Sequence, residues 1–147
     1  MEIENLIKVL QASIAPCVLI SGLGLLLLSI SNRFVRPIDR IRQLCHAIKD
    51  APPEDQSIIR ERLQIYYTRC RLLRISIALI VASIFFVSLM MVMLFTNLVF
   101  HIQLVFLIKL VFIGMLGCLV AALIFFLLDI RLALHSIKKD VDKHLIK

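Results

Sequence analysis

Arginine is concentrated in one segment of this sequence. Ten of the 17 basic residues lie between positions 33 and 74, and nine of those ten are arginines. The planar guanidinium group donates paired hydrogen bonds that match the oxygens of a phosphate. This segment therefore has the chemistry to bind anionic lipid headgroups or an acidic protein partner. The candidate contacts are Asn32, Arg33, Arg36, Asp39, Arg40, Arg42 and Arg69.

Lys109 is the only charged residue well inside an apolar run. A charge in the lipid core is costly and marks an ion or substrate path by default. A lysine near the end of a membrane helix also reaches the headgroups with its long side chain. At about 100° per residue, Lys109 lies roughly 140° around the helix from Gly114. We therefore expect it to face lipid or a neighbouring subunit.

Small residues recur in the same run and in the first apolar run of the chain. Gly114, Gly117 and Ala121 are spaced by three and four residues, which allows helix backbones to approach closely in a membrane. The small and polar residues of the first run suit either close packing or a hinge that lines a pore. The same two interpretations apply to Ser76, Ser83 and Ser88. The candidates for packing or pore lining are Ser13, Pro16, Ser21, Gly24, Lys109, Gly114, Gly117 and Ala121.

The remaining reactive residues form no catalytic or metal-binding pattern. The four cysteines and four histidines are scattered, without a Cys-x-x-Cys pair or two histidines at i and i+4. The sequence also lacks a glycine-rich phosphate loop, a Ser/His/Asp set and paired carboxylates in an apolar run. We expect no enzyme activity, no metal and no cofactor. Nucleic-acid binding is disfavoured because no recognised motif or interleaved aromatic platform accompanies the basic residues.

The composition indicates which elements position these residues. Of the 147 residues, 61% are hydrophobic and 18% are charged, and the mean hydropathy is +0.96. Soluble domains are about 45–50% apolar and about 25% charged, so a water-soluble globule and a disordered chain are excluded. Crossing a bilayer takes roughly 20 apolar residues in a helix. We predict a single all-α membrane domain, residues 1–147, with spans at about 12–32, 75–96 and 104–128.

The charges that flank these spans predict their orientation. Lysine and arginine accumulate on the cytoplasmic side of a membrane. Residues 33–74 and the tail 131–147 are basic, the N-terminus is acidic on balance, and residues 97–103 contain no lysine or arginine. We predict a multi-pass protein with its N-terminus outside and its C-terminus inside. This rule alone is enough to explain the arginine-rich segment without any binding function.

The segment 33–74 has helical periodicity on both sides of Pro52 and Pro53. The prolines end the first helix, so we predict that helices 1 and 2 extend into a cytoplasmic antiparallel helical hairpin. In that pairing Asp39 lies near Arg69, and we hypothesise that Asp39 is the counter-charge of the arginines. Pro37 argues locally against a continuous first helix. The apolar stripes are Ile38, Ile41, Cys45 and Ile48, then Ile59, Leu63, Tyr66, Cys70 and Leu73.

The junction after the first span has a moderately specific motif. Asn32-Arg33 is followed by Arg36-Pro-Ile-Asp39-Arg40-Ile-Arg42, and an Ala-Pro pair lies earlier in the span. This pattern resembles the DUF2721 family of small bacterial membrane proteins over nearly the whole chain. The family is named for its unknown function. The resemblance therefore implies this architecture in a bacterial inner membrane, and it implies no catalytic residue.

Two kinds of function fit these features. The first, which we predict, is a homo-oligomer that forms a pore or ion pathway, lined by the first span, with Arg33 and Arg36 at its cytoplasmic mouth. The alternative is a structural or accessory protein whose hairpin docks a cytoplasmic protein partner or anionic lipid. The features that support this alternative are the length of the hairpin and the scarcity of ionisable groups in the spans. In both cases the bilayer itself is the first partner.

Overall fold

The chain folds into long helices. The computed structural model describes residues 2–50, 52–100 and 105–145, and these form α1 (Glu2–Asp50), α2 (Pro53–Phe100) and α3 (Val105–Leu145). Each of the three contains a stretch long and apolar enough to cross a membrane. The predicted all-α class with three membrane-length helices is confirmed at this level.

Two proline positions have opposite effects on the helices. α1 ends at Asp50 and α2 begins at Pro53, as the proline pair predicts, because proline is favoured in the first turn of a helix. Pro37 does not end α1, and its side chain is buried within unit 2, defined below. The local objection to a continuous first helix is therefore wrong.

The third helix is longer than its apolar run. α3 continues to Leu145, through the segment that the charge pattern marks only as a basic tail. The apolar residues after Leu134 are sparse among charges, which is why a hydropathy profile does not mark this part of the chain as helix.

The buried side chains of each helix follow a seven-residue repeat. Such a repeat keeps one seam of a helix turned toward its neighbours. Prolines, serines and an aspartate occupy seam positions together with apolar residues, so hydropathy alone does not reveal the repeat. The buried residues are Pro16, Leu23, Ile30 and Pro37 on α1, Leu73, Ser76, Ile80, Ser83 and Val87 on α2, and Val111, Met115, Ala122 and Asp129 on α3.

The chain divides into two compact units. Unit 1 consists of Met1–Leu28 and Ala78–Ala122, and unit 2 consists of Ser29–Ile77 and Leu123–Lys147. In unit 1 the buried residues include Leu23, Ile80 and Met115. In unit 2 the buried Ile30 and Leu73 are accompanied by buried polar side chains.

Unit 2 contains more than the two arms of the predicted hairpin, because α3 contributes Leu123 and the residues after it. The stripe residues of both predicted arms are buried or half-buried, apart from Cys45, which is exposed. The predicted periodicity of the two arms is therefore correct. The contribution of α3 was not predicted, and it determines the site described next.

Candidate functional site

Two arginines of unit 2 are held against α3. The Arg33 guanidinium, from α1, lies over the Phe126 ring at 5.4 Å from its centroid, within the range of a cation–π contact. Arg69, from α2, donates a hydrogen bond from Nε to Oδ1 of Asp129 at 3.1 Å. Phe126 and Asp129 are three residues apart, so they are neighbours on one side of α3. We call these four residues the two-arginine site.

Asp129 is the most deeply buried member of the two-arginine site. Its side chain is 2% exposed, compared with 20% for Arg69. A carboxylate removed from water is costly unless an opposite charge and a hydrogen bond compensate it. Arg69 supplies both of these, so one of the predicted phosphate contacts also has a structural role.

Both guanidinium groups keep donors available. Within the described part of the chain, Nη1 and Nη2 of Arg69 have no hydrogen-bond partner, since its contact with Asp129 is made through Nε. Arg33 is exposed, and its contact with the Phe126 ring is the one that the described residues show for it. Two positive charges and one negative charge give the two-arginine site a formal net charge of +1.

The two-arginine site lies at the ends of the apolar runs. Arg33 is three residues past Ile30, Asp129 directly follows Leu128, and Arg69 is six residues before Ile75. At 1.5 Å per helical residue, these are distances of roughly 2–9 Å along the helices.

The other predicted contacts of this segment are at the surface. Asn32, Arg36, Asp39, Arg40 and Arg42 are all exposed, and Arg40 donates a hydrogen bond to Oε1 of Gln43 at 3.0 Å.

The hypothesis that Asp39 is the counter-charge needs correction. The carboxylate that pairs with Arg69 is Asp129, and Asp39 is exposed. The prediction was wrong because it paired helices 1 and 2 alone and did not include the acidic residue that α3 contributes.

The candidates in the first span belong to unit 1 and have different environments. Pro16 is buried. Ser21 is exposed, and its hydroxyl donates a hydrogen bond to the Cys17 carbonyl, one turn earlier, at 3.1 Å. Gly24 is also exposed, and a Cβ added there would meet no atom of the described residues within 4 Å. Gly24 therefore packs closely against none of these residues. The side chain of Ser13 lies outside the described residues.

The candidates on α3 are also in unit 1. A Cβ added at Gly114 would lie 3.7 Å from the Phe86 ring, whereas one added at Gly117 would meet nothing within 4 Å. Ala121 is half-buried and Lys109 is exposed. Of the two glycines, Gly114 is thus the one that packs against a neighbouring helix. Lys109 lies off the buried seam, as the helical angle predicts.

Ser83 joins two helices of unit 1. Its buried hydroxyl donates a hydrogen bond to the Met115 carbonyl at 2.9 Å. The hydroxyl of Ser88 instead bonds the carbonyl of Ile84 on its own helix at 3.0 Å. Of the two interpretations open for Ser83, packing is the one supported by its contact.

The cysteines are free thiols, with Cys17 and Cys45 exposed and Cys70 and Cys118 half-buried. Among the residues whose positions are described, no three histidine, cysteine, aspartate or glutamate side chains are grouped so that they could hold a metal ion.

Two residues of the two-arginine site were missed by sequence reasoning. Neither Asp129 nor its neighbour Arg131 is singled out in the sequence analysis. A usable signal exists, because Asp129 lies seven residues after Ala122 on the buried seam, whereas Arg131 is exposed. We find no corresponding signal for Phe126, since Phe125 precedes it and both are half-buried.

Comparison with known proteins identifies a family. A family model described as "Protein of unknown function (DUF2721)" matches residues 13–139. No curated protein and no solved structure matches the chain. The matched region includes all four residues of the two-arginine site.

Proposed function

Because this chain belongs to the DUF2721 family of proteins of unknown function, we propose a function from its own residues. The chain is a non-enzymatic, structural or accessory membrane protein whose unit 2 binds anionic lipid headgroups. The observation that carries this proposal is the exposure of unpaired arginines beside the ends of membrane-length apolar helices.

The exposed arginines of unit 2 are available to ligands. Arg36, Arg42, Arg71 and Arg74 are exposed, and in the part of the chain that is described they have no hydrogen-bonding or ion-pair partner. A guanidinium that is not engaged within the protein binds phosphate oxygens with paired, charge-assisted hydrogen bonds. This supports a lipid surface as the ligand, because the arginines adjoin the apolar segments.

The orientation is part of the proposal. The arginine-rich unit faces the cytoplasm and the N-terminus faces outward, since basic residues resist translocation. The membrane is the bacterial inner membrane, whose anionic leaflet attracts juxtamembrane arginines by about 1 kcal/mol each.

The described hydroxyl contacts within the spans favour a structural use of the helices. Ser21, Ser83, Ser88 and Thr96 each donate a hydrogen bond to a backbone carbonyl. The bond from Ser83 reaches a neighbouring helix and contributes to packing, whereas the other three bond the carbonyl one turn earlier on their own helix.

The test is retention of lipid by the detergent-purified protein. We expect native mass spectrometry to show more bound phosphatidylglycerol than phosphatidylcholine. Replacing Arg36, Arg42, Arg71 and Arg74 by glutamine should remove most of this preference, at about fivefold in affinity per arginine. Lysine at the same four positions is the matched control, because it keeps the charge. Equal retention of the two lipids by the wild-type protein would contradict the proposal.

A homo-oligomeric pore or ion pathway is the second candidate. It is favoured by the open space beside Gly24 and Gly117, by the exposure of Lys109, and by the 17% of residues buried in the most apolar window of each helix. These surfaces are free to contact other copies. We expect a multimeric mass in detergent that Gly24→Leu and Gly117→Leu reduce, and a current in planar bilayers. A monomeric mass without current would exclude this candidate.

A further inference from the structure

We infer that Arg33 and Arg69 together form a specific site for one phosphodiester group of an anionic lipid, and that Phe126 and Asp129 position them. This inference rests on the proposed function. It goes further, because it distinguishes one built site from the general attraction of the basic surface.

Both guanidinium groups are held in place before any ligand arrives. Asp129 is bound to Nε of Arg69, so the end of the planar guanidinium that carries Nη1 and Nη2 is not the donor of this bond. Such a fork matches two oxygens of a phosphate. Arg33 is oriented by the Phe126 ring under its guanidinium.

The net charge of the two-arginine site favours one class of ligand. The two-arginine site has a net charge of +1, because Asp129 offsets one of the two arginines. A phosphodiester carries one negative charge and neutralises the site. A zwitterionic headgroup also carries a cation, which the arginines repel. The chemical class favoured is therefore a phosphodiester without a cationic group, as in phosphatidylglycerol.

An exposed apolar side chain of α3 lies beside the site. Leu123 belongs to unit 2, is 37% exposed, and lies three residues before Phe126 on the same side of the helix. An acyl chain below the phosphate would cover it, which favours a lipid over a soluble phosphodiester.

Arg36 provides a matched comparison on the same helix. It is exposed, three residues after Arg33, and has no hydrogen-bonding, ion-pair or aromatic partner among the described residues. If only charge mattered, Arg33 and Arg36 would contribute equally. If the built site matters, Arg33 and the uncharged Phe126 contribute and Arg36 contributes little to the tightest lipid.

The experiment measures the dissociation constant of the first phosphatidylglycerol bound to the full-length protein in detergent, by native mass spectrometry. We expect Arg33→Gln to weaken it about tenfold or more. Phe126→Leu should weaken it about two- to fivefold, although the net charge is unchanged. Arg36→Gln should have a smaller effect than Arg33→Gln, confined mainly to weaker lipids.

Arg69 requires a variant that keeps the fold. Arg69→Gln leaves Asp129 buried without a counter-charge, so its failure to fold would be uninformative about lipid. Arg69→Lys keeps the positive charge beside Asp129 but removes the guanidinium fork. We expect Arg69→Lys to retain most of the melting temperature and to lose affinity for the first phosphatidylglycerol. Unchanged affinity in a folded Arg69→Lys protein would overturn the role of Arg69.

The outcomes separate this inference from the proposed function. If Phe126→Leu has no effect and Arg33→Gln equals Arg36→Gln, while phosphatidylglycerol is still preferred over phosphatidylcholine, the specific site is wrong and the proposed function stands. If the wild-type protein shows no such preference, both fail. Glycerophosphoglycerol, the deacylated headgroup, tests the source of the phosphodiester. Displacement of the lipid by equimolar glycerophosphoglycerol would overturn the assignment to a lipid.

Discussion

At the scale of single residues, Asp129 determines which arginine of the basic segment has a structural role. Its buried carboxylate accepts a hydrogen bond from Arg69, so loss of its charge leaves a guanidinium that is only 20% exposed without compensation. Arg36, Arg40 and Arg42 are exposed and carry no such constraint. The arginines of this segment therefore differ in role: Arg69 is paired with a buried carboxylate, and the three exposed arginines are not.

The first prediction concerns this carboxylate. Asp129→Asn is expected to destabilise the protein by about 3 kcal/mol, because it breaks a largely buried ion pair by removing one partner. Asp39→Asn is the control, and it should change stability by less than about 0.5 kcal/mol, because Asp39 is exposed. Thermal unfolding in detergent measures both. Equal melting temperatures for the two variants would contradict the role assigned to Asp129.

The second prediction concerns the thiols of unit 2, outside the predicted spans. Burial raises the pKa of the Cys70 thiol, Arg69 opposes this effect, and Asp129 adds to it. The thiolate is the reactive form, and Cys45 is exposed. In single-cysteine variants near neutral pH, N-ethylmaleimide should therefore modify Cys45 faster than Cys70, as followed by mass spectrometry. Raising the pH should narrow the difference, and faster reaction of Cys70 at neutral pH would refute this expectation.

At the scale of the helices, the buried seams explain why polar residues occur in apolar runs. Ser83 lies on the seam of α2, and its hydrogen bond reaches the backbone of α3. Ser88 lies off the seam and bonds its own helix. The position of each serine relative to the seam therefore determines whether its hydroxyl bonds a neighbouring helix or its own helix.

The third prediction follows from this difference. Ser83→Ala should cost about 1 kcal/mol of stability, the magnitude typical of a hydrogen bond between membrane helices. Ser88→Ala should be close to neutral. The Ser88 hydroxyl bonds only its own helix, so its removal breaks no contact between helices. Thermal unfolding of the two variants in the same detergent gives the comparison. A larger loss for Ser88→Ala would contradict the assignment.

The sequence predicts the break between α1 and α2 but not the end of α3, because only the first is marked by proline. The break between α1 and α2 was predicted because proline acts locally on its own backbone. The continuation of α3 to Leu145 was not predicted, since its apolar residues are sparse among charges. Pro37 was expected to disturb α1, but it lies on the buried seam of that helix.

At the scale of the whole molecule, the distribution of arginine sets the expected topology. Pro52 is exposed and lies between α1 and α2. The fourth prediction is that a reporter inserted at position 52 is cytoplasmic. Green fluorescent protein inserted there should fluoresce, and alkaline phosphatase, which requires export, should be inactive. The same reporters fused at the N-terminus are the control and should give the reverse pattern. Active phosphatase at position 52 would invert the proposed orientation.

The class of the protein, its three membrane-length helices, the break at Pro52 and Pro53, and the family can all be predicted from the sequence. These properties depend on composition and on residues close together along the chain, so one sequence is enough to read them. It also marked Arg33 and Arg69 as candidate phosphate contacts, without indicating that both are held against α3.

Three contacts could be identified from the tertiary structure alone. Phe126 and Asp129 contact the two arginines, whereas Asp39 does not pair with Arg69. Ser83 bonds the Met115 carbonyl of the neighbouring helix. These contacts depend on the rotation of each helix about its own axis, which a single sequence does not specify. A contact between helices depends on how each helix is turned about its axis relative to the others. Three amphipathic patterns constrain this angle weakly when most of their surface is apolar, because lipid solvates an apolar face as well as a neighbouring helix does.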